Sequence, residues 1–358
     1  MPRHRFSIAT FNVKNLVNAE TNYYQRKDGS WNRYSQSAFD RKVTWLAEKL
    51  ADMDADHVCL QEIFHLGALQ AVADRHAEIV EARQLNQPGY SEVLHFANDN
   101  SVADDPRPGL GYLGRAPVMS SRRVQDLSGE PVVLGDDPSL SYALSATSRP
   151  IGIVEVDLGG GQNGFILNAH LKSKRPLLPE GSLADEAENL LFLDRAKGAV
   201  GSLVLRAGEA LALRREILSL ARGNDTPIFV VGDLNDDGGA VTTEVVRGEV
   251  PWRHEAFEIK KGFWDVELYS AAKTHLRRSE TADFTTHIHN GHASAIDHIF
   301  LSQEFYYRNH RRLGDLDYVR AFNDHVIDSD FPGAPRARDA SDHGQLVAYF
   351  SFETEETS

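Results

Sequence analysis

Cysteine is nearly absent from this sequence of 358 residues. The one cysteine, Cys59, stands in the apolar run His57-Val58-Cys59-Leu60. A single cysteine excludes an intramolecular disulfide and a zinc cluster built from several cysteines. Its apolar neighbours favour a buried thiol over a catalytic thiolate.

Excess positive charge and long hydrophobic runs are also lacking. Lys and Arg number 38 against 52 Asp and Glu, which gives a formal net charge of −14 at pH 7. This balance argues against a basic nucleic-acid coat and a polybasic membrane binder, although a locally positive cleft stays open. No apolar stretch approaches the roughly 20 residues that span a bilayer. The N-terminus lacks the apolar core and cleavage site of a signal peptide, so we expect a cytoplasmic protein with no membrane span.

Strand-like and helix-like segments alternate along the chain, as their hydrophobic periodicity indicates. Strands are predicted at 6–13, 57–63, 132–134, 142–146, 151–158, 165–171, 227–232, 295–301 and 345–352, and helices at 39–53, 66–77 and 182–222. A long irregular stretch is expected between 232 and 295. No repeat or linker divides the sequence. We therefore expect one domain over residues 1–352, with the 182–222 helical region inside it and an acidic tail at 353–358.

Polar side chains fall at or near the ends of the apolar segments. They are Asn12, Gln61-Glu62, Asn168, His170, Asp233, Asn235, Asp297 and Ser341-Asp342-His343. Taken singly, each motif fits a turn or a solvent-facing strand end. Together they fit one site, because buried carboxylates and amides are costly unless they are hydrogen-bonded or bind a cation. Hard oxygen ligands without thiolates suit Mg²⁺ or Mn²⁺, and neighbouring histidines suit phosphate chemistry.

The order of these motifs resembles that of the endonuclease/exonuclease/phosphatase superfamily, whose fold is that of the pancreatic-type deoxyribonucleases. The motifs are Thr10-Phe11-Asn12-Val13, Leu60-Gln61-Glu62, Asn168-Ala169-His170-Leu171, Gly232-Asp233-Leu234-Asn235, Ile296-Asp297-His298 and Ser341-Asp342-His343. His170-Leu171-Lys172-Ser173-Lys174 is similar to the bacterial nuclease-like branch. The resemblance covers nearly the whole chain. It implies a four-layer αββα sandwich, in which helices flank two packed mixed β-sheets.

The resemblance also implies a role for each motif residue. Glu62 is expected to be the principal metal ligand, with Asn12 beside it and Asp342 in or near the metal shell. Asp233 is expected to orient or deprotonate the attacking water, and Asn235 to hold the scissile phosphate. His343 is expected to contact a phosphate oxygen while Asp297 orients it, and His170 to contact phosphate or to protonate the leaving oxygen.

Three cations are candidates for substrate-phosphate contact. Lys172 follows the His170 motif, and Arg149 precedes a strand, where a structural salt bridge is an equally good explanation. Lys14 departs from the pattern of the superfamily, because many of its members carry an acidic residue at this position. A cation there cannot ligate a metal, so Lys14 puts a second metal in doubt and is instead free to bind phosphate.

The expected function is metal-dependent hydrolysis of a phosphate ester by attack of water, with nucleic acid as the substrate of a nuclease or phosphodiesterase. The alternative is a phosphatase or phosphodiesterase acting on a small molecule or lipid head group, of the inositol phosphate or sphingomyelin type. A third hypothesis is a binding module without catalytic activity. The intact set of site residues argues against it.

Two further patterns stay open. The histidines of 287–292 either bind zinc or form a hairpin around Asn290-Gly291. The aromatic residues of the loop after the first motif either stack on a base or sugar or fill a loop core; they are Tyr23, Tyr24, Trp31 and Tyr34.

Overall fold

The computed structural model describes residues 3–26, 29–134, 142–178, 188–279, 281–329 and 339–354. The strands are β1 (Arg3–Leu16), β2 (Tyr23–Gln25), β3 (Trp31–Asn32), β4 (His57–Ile63), β5 (Glu92–Phe96), β6 (Gly109–Gly114), β7 (Val118–Asp126), β8 (Val132–Leu134), β9 (Tyr142–Leu144), β10 (Ala146–Asp157), β11 (Asn163–His170), β12 (Ile228–Asp233), β13 (Tyr269–Ser270), β14 (His287–His289), β15 (His292–Ser294), β16 (Asp297–Leu301), β17 (Gly314–Phe322) and β18 (Gln345–Glu353). The helices are α1 (Gln36–Met53), α2 (Leu66–Ala82), α3 (Glu188–Ala221), α4 (Val241–Arg247), α5 (Phe257–Val266), α6 (Ala271–Leu276) and α7 (Asp324–Ser329), and a short 3₁₀ helix covers Gln303–Phe305.

Two six-stranded sheets form the centre of the fold. The first has the strand order β17-β18-β1-β4-β6-β5, and the second has the order β13-β16-β12-β11-β10-β7. Both sheets are mixed. Strand β1 is parallel to β4 and antiparallel to β18, while β12 is parallel to β11 and antiparallel to β16.

Alternate residues of the central strands pack in opposite directions, as the two-residue period of a strand requires. In β12, Phe229 and Val231 lie in the core between the two sheets. Ile228 and Val230 lie in a second core, against α3. Helices α1 and α2 cover the outer face of the first sheet in the same way. The layers therefore run helix, sheet, sheet, helix, which confirms the predicted sandwich.

The strand register brings polar residues from both sheets to one edge of the sandwich. In the first sheet, Asn12 of β1 lies opposite Gln61 of β4. In the second sheet, Asp233 of β12 lies between His170 of β11 and Asp297 of β16. The polar side chains of the sequence motifs therefore lie together at this edge.

Gly232 allows the close strand approach that positions His170. Its φ of 142° lies outside the range that other residues adopt readily, and a Cβ atom built there would lie 1.9 Å from the carbonyl oxygen of Ala169. Any side chain would push β11 away from β12. Glycine at this place therefore keeps His170 beside Asp233.

The stretch after residue 233 differs from the prediction, because it contains α4, α5 and α6 rather than irregular chain. Helices α4 and α6 span seven and six residues. They are shorter than the windows of roughly 11–18 residues over which helical periodicity can be read. Strand β17 and helix α7 were not predicted either.

The long helical prediction holds from Glu188 to Ala221, and residues 182–187 lie outside the described ranges. So do residues 355–358 of the acidic tail, whose first residue, Glu353, ends β18. The assignment of 1–352 to one domain stays a prediction. None of the helices within the described ranges is long and apolar enough to cross a membrane.

Candidate active site

Asp233, Asp297 and His343 meet at the polar edge of the sandwich. One ligand atom from each lies within 4.8 Å of the others, and all three residues are buried. Burial, followed by the charge of Asp297, raises the pKa of Asp233. Burial alone would lower the pKa of His343, but the charges of Asp297 and Asp233 outweigh it and raise this pKa to about 10. The centre therefore holds a protonated imidazole between two carboxyl groups.

The orientation of His343 is set by two contacts. Its Nδ1 lies 2.9 Å from Asp297 Oδ2, and its Nε2 lies 3.9 Å from Asp233 Oδ2. Ser341 fixes the backbone, since its hydroxyl donates to the carbonyl of Asn12 (2.6 Å) and accepts from the amide of His343 (3.0 Å). The imidazole thus presents Nε2 towards Asp233.

Asp233 is bound on both oxygens. Asn12 Nδ2 donates to Oδ2 over 3.0 Å, and His170 Nε2 lies 3.3 Å from the same oxygen. The amide of Asn235 donates to Oδ1 over 2.8 Å. Burial, followed by the charge of Arg149, lowers the pKa of His170 well below its ordinary value, so this imidazole is neutral.

Glu62 and Asp342 lie at a second place on the edge. The residues Lys14 and Asn15 adopt positive φ angles of 54° and 57°, and this turn lets the amide of Asn15 donate to Glu62 Oε2 over 2.9 Å. Lys14 Nζ lies 2.9 Å from Asp342 Oδ2. Of the predicted metal ligands, only Asn12 contacts Asp233 directly. The Lys14 side chain is bound to a carboxylate, whereas the sequence suggested that it binds phosphate.

Asn235, Arg149 and Lys172 line the chain segment that follows β11. Asn235 Nδ2 donates to the carbonyl of Leu171 over 2.9 Å, and Arg149 Nη1 donates to the same oxygen over 3.3 Å. Lys172 Nζ donates to Ser173 and to the carbonyl of Arg175, each over 3.3 Å. Burial, followed by the charge of Arg149, lowers the pKa of Lys172.

Gln61 and Asn168 tie the two sheets together behind this site. Gln61 Nε2 donates to Asn168 Oδ1 over 2.8 Å. Asn168 Nδ2 in turn donates to the carbonyls of Leu60 and Gly111 in the first sheet. Both side chains are buried. These hydrogen bonds satisfy the two buried amide side chains and join the two sheets.

The histidine tract forms the predicted hairpin β14–β15, with Asn290 and Gly291 at positive φ in its turn. Its first histidine, His287, lies beside the candidate site, with its ring 5.0 Å from that of His343. The zinc prediction gains no support. Among the described residues, Asp233, Asp297 and His343 form the group of three whose ligand atoms converge.

The aromatic loop packs on itself next to Glu62. The ring of Tyr24 lies 5.7 Å from that of Phe64, and Tyr23 stacks on Tyr34 at 5.6 Å. Burial, followed by the charge of Glu62, raises the pKa of Tyr24 to about 12. These contacts favour the loop-core interpretation over an open stacking platform.

Sequence reasoning missed three buried charges behind the site: Lys42, Arg206 and Glu209. Lys42 Nζ donates to the carbonyl of Val13 over 2.9 Å. The signal that could have found Arg206 and Glu209 is a charged pair, at spacing i and i+3, inside the apolar pattern of α3.

Comparison with known proteins places the chain by its fold. No protein-family model matches the sequence, and no curated protein matches it. Among solved structures, it is similar to an endonuclease/exonuclease/phosphatase family protein from Bacteroides thetaiotaomicron, at 14% identity over 99% of this chain and 100% of that one, with a TM-score of 0.54. A humanized D. rerio TDP2 is 15% identical over 97% and 98% of the two chains, with a TM-score of 0.52. A mannosyl-6-phosphatase from Bacteroides thetaiotaomicron is 15% identical over 96% and 99%, with a TM-score of 0.51. The chain therefore has the fold of the endonuclease/exonuclease/phosphatase proteins, as its sequence motifs predict.

Proposed function

We propose that the protein is a divalent-metal-dependent hydrolase of phosphate esters. The observation that carries this proposal is the buried Asp233 carboxylate, which contacts Asn12 and His170 and lies next to the His343–Asp297 pair. A carboxyl with a raised pKa is suited to act as a general base near neutral pH. A protonated imidazole beside it is suited to stabilise the charge that develops on a phosphate oxygen.

Each residue has a step that fits its surroundings. Asp233 accepts a proton from the attacking water, and His343 donates a charged hydrogen bond to a phosphate oxygen. His170, which is neutral, contacts the phosphate through an N–H group rather than donating a proton. Asn235 binds the scissile phosphate, while Lys172 and Arg149 contact the rest of the substrate.

The donor set fits a magnesium or manganese ion. Glu62 and Asn12 would hold it, with Asp342 at its margin, and oxygen donors of this kind are the ones these ions prefer. Asp297 Oδ1 is buried without a hydrogen-bond partner among the described residues. This oxygen is therefore available to bind a cation or to accept a hydrogen bond from water. A bound ion of this kind supplies positive charge that activates water and offsets the charge of the phosphate.

We propose a phosphodiester in nucleic acid as the substrate, cleaved by a nuclease or phosphodiesterase. A second candidate is a small phosphate ester. It is favoured by the net charge of −14, which disfavours tight binding to a polyanion.

An activity panel tests both candidates. The purified protein is assayed with Mg²⁺ and Mn²⁺ against plasmid DNA, single-stranded DNA, RNA, bis-p-nitrophenyl phosphate and p-nitrophenyl phosphate. We expect cleavage of the diesters and of at least one nucleic acid, with rates that fall steeply as salt rises. Hydrolysis of the monoester alone would exclude the nuclease.

A further inference from the structure

We propose that Glu209 and Arg206, on the buried face of α3, are positioning residues that hold the three chain segments carrying the phosphate-binding groups. The inference rests on the proposed function. Neither residue touches the proposed reacting groups, so each acts through the backbone and side chains that it binds.

Glu209 joins β10 to the end of β11. Its side chain is 2% exposed. Oε1 accepts from the amide and the hydroxyl of Ser148, over 2.8 and 2.5 Å, and Oε2 accepts from the amide of Lys172 over 2.6 Å. Ser148 directly precedes Arg149. One carboxylate therefore sets the spacing between the two cations that we assign to substrate phosphate.

Arg206, one helical turn earlier, joins the same segment to the loop after β12. Its Nη1 donates to the carbonyl of Lys172 over 3.0 Å, and its Nε donates to Asp236 Oδ2 over 2.8 Å. Asp236 also accepts from the hydroxyl of Thr242 (2.6 Å) and pairs with Lys174 (3.0 Å). The backbone of Lys172 is thus held at its amide by Glu209 and at its carbonyl by Arg206.

The held segment leads directly to the candidate active site. The amide of Leu171 donates to the carbonyl of Asp233 over 3.0 Å, and the carbonyl of Leu171 accepts from Asn235 over 2.9 Å. A shift of Lys172 would therefore be transmitted to His170 on one side and to Asn235 on the other. A displacement of about 1 Å is enough to reduce a rate greatly when reacting groups must be aligned.

Packing alone does not account for these ions. The neighbouring positions on the buried face of α3 are apolar, namely Ala210, Leu213 and Ile217. Well-packed apolar residues commonly replace a buried ion pair with no loss of stability. Glu209 and Arg206 instead provide directed, charge-assisted hydrogen bonds that fix a geometry.

The experiment compares Glu209→Gln and Arg206→Lys with Glu216→Gln, a matched control on the same helix whose carboxylate pairs with the exposed Arg122 over 2.7 Å. Hydrolysis of bis-p-nitrophenyl phosphate is measured at saturating Mg²⁺, at a temperature where circular dichroism shows every variant folded. Gln at 209 replaces one acceptor oxygen with an NH₂ group, which faces the amide of either Lys172 or Ser148 and breaks that hydrogen bond. We expect KM to rise at least tenfold in Glu209→Gln, because Arg149 and Lys172 shift.

In Arg206→Lys we expect kcat to fall at least tenfold with a smaller change in KM, because the Asn235–Asp236 loop loses its anchor. Glu216→Gln should match the wild type in both constants. This division between KM and kcat would not arise if both residues served stability alone. Should Glu209→Gln fail to fold, Ser148→Ala removes one of its three hydrogen bonds, and we expect KM to rise about threefold.

The proposed function and the positioning role of Glu209 and Arg206 can be refuted separately. A wild-type protein that hydrolyses no phosphate ester would overturn the proposed function, and the inference with it. An active wild type with folded Glu209→Gln (or Ser148→Ala) and Arg206→Lys variants of unchanged KM and kcat would overturn the inference alone.

Discussion

Lys42 places an ammonium group inside the fold, and its removal measures how much the burial of this charge costs in stability. The side chain is 0% exposed and donates to the carbonyl of Val13 over 2.9 Å. Burial, followed by the charge of Lys14, lowers the pKa of Lys42 from 10.5 to about 8, although Glu62 and Asp342 partly oppose the change. The fold therefore bears a cost for keeping this charge.

The size of that cost follows from the pKa. A fall from 10.5 to about 8, at about 1.36 kcal/mol per pH unit, destabilises the folded state by about 3 kcal/mol at pH 7. Lys42→Met removes the charge and keeps a similar stem, but it loses a charge-assisted hydrogen bond worth about 1.5 kcal/mol. We therefore expect the free energy of unfolding to rise by about 2 kcal/mol at pH 7.

The pH dependence has a definite sign. Between pH 8 and 10.5 the unfolded chain holds a proton on Lys42 that the folded chain has released. The contribution of this lysine to stability therefore increases with pH across that window. As a result, the advantage of Lys42→Met over the wild type should shrink from pH 8 and reverse before pH 10.5, where the variant should be less stable by about 1 kcal/mol because only the lost hydrogen bond of the now neutral amine remains.

Urea unfolding followed by circular dichroism, at a series of pH values, measures this difference. Lys49→Met is the matched control, because Lys49 lies on the same helix and pairs with Asp52 on the surface over 2.8 Å. We expect little change in the control, since exposed pairs contribute about 0–1 kcal/mol. A Lys42→Met variant that is less stable than the wild type at pH 7, or a difference independent of pH, would refute the reasoning.

Three further predictions follow from single contacts. Lys14→Ala should change the free energy of unfolding by less than about 1 kcal/mol, because its pair with Asp342 is half exposed. The same variant should bind Mg²⁺ more tightly in calorimetry, because the Asp342 carboxylate is no longer paired. Weaker Mg²⁺ binding would contradict this expectation. Asp297→Asn should lower the urea-derived free energy of unfolding by roughly 3 kcal/mol, because it leaves the buried His343 without its charged partner. A loss within the error of the control variants would show that the contact between Asp297 and His343 does not stabilise the fold. Cys59 is fully buried and burial raises its pKa, so Ellman's reagent should label it only in denaturant; rapid labelling of the native protein would show the thiol to be accessible.

The layers of the fold and the polar edge could be predicted because both depend on short-range patterns. The continuous apolar run at 228–231 indicates a strand buried on both faces, and the two-residue period of a strand then places Phe229 in one core and Val230 in the other. The strand predicted at 57–63 has those bounds in the structure. Residues such as Asp233 stand where an apolar run stops, and a strand end is visible in the sequence.

The charges behind the site could not be predicted in the same way. Glu209 and Arg206 lie inside a helix, where a polar residue normally faces solvent, and their partners Ser148 and Asp236 belong to distant segments. Spacing within α3 carries no information about those segments. The contact of Lys14 with Asp342 could not be predicted for the same reason, because it joins residues near opposite ends of the chain.

Hydrolysis of bis-p-nitrophenyl phosphate by the wild type and by Asp233→Asn tests the central claim most directly. Asparagine keeps the shape of the side chain and removes its basicity, and a general base contributes roughly 10²–10⁴-fold to a rate. We predict Mg²⁺-dependent turnover by the wild type that EDTA abolishes, and a kcat at least about a hundredfold lower in a folded Asp233→Asn variant. Equal rates for the two proteins in Mg²⁺, or an undiminished wild-type rate in EDTA, would contradict the account.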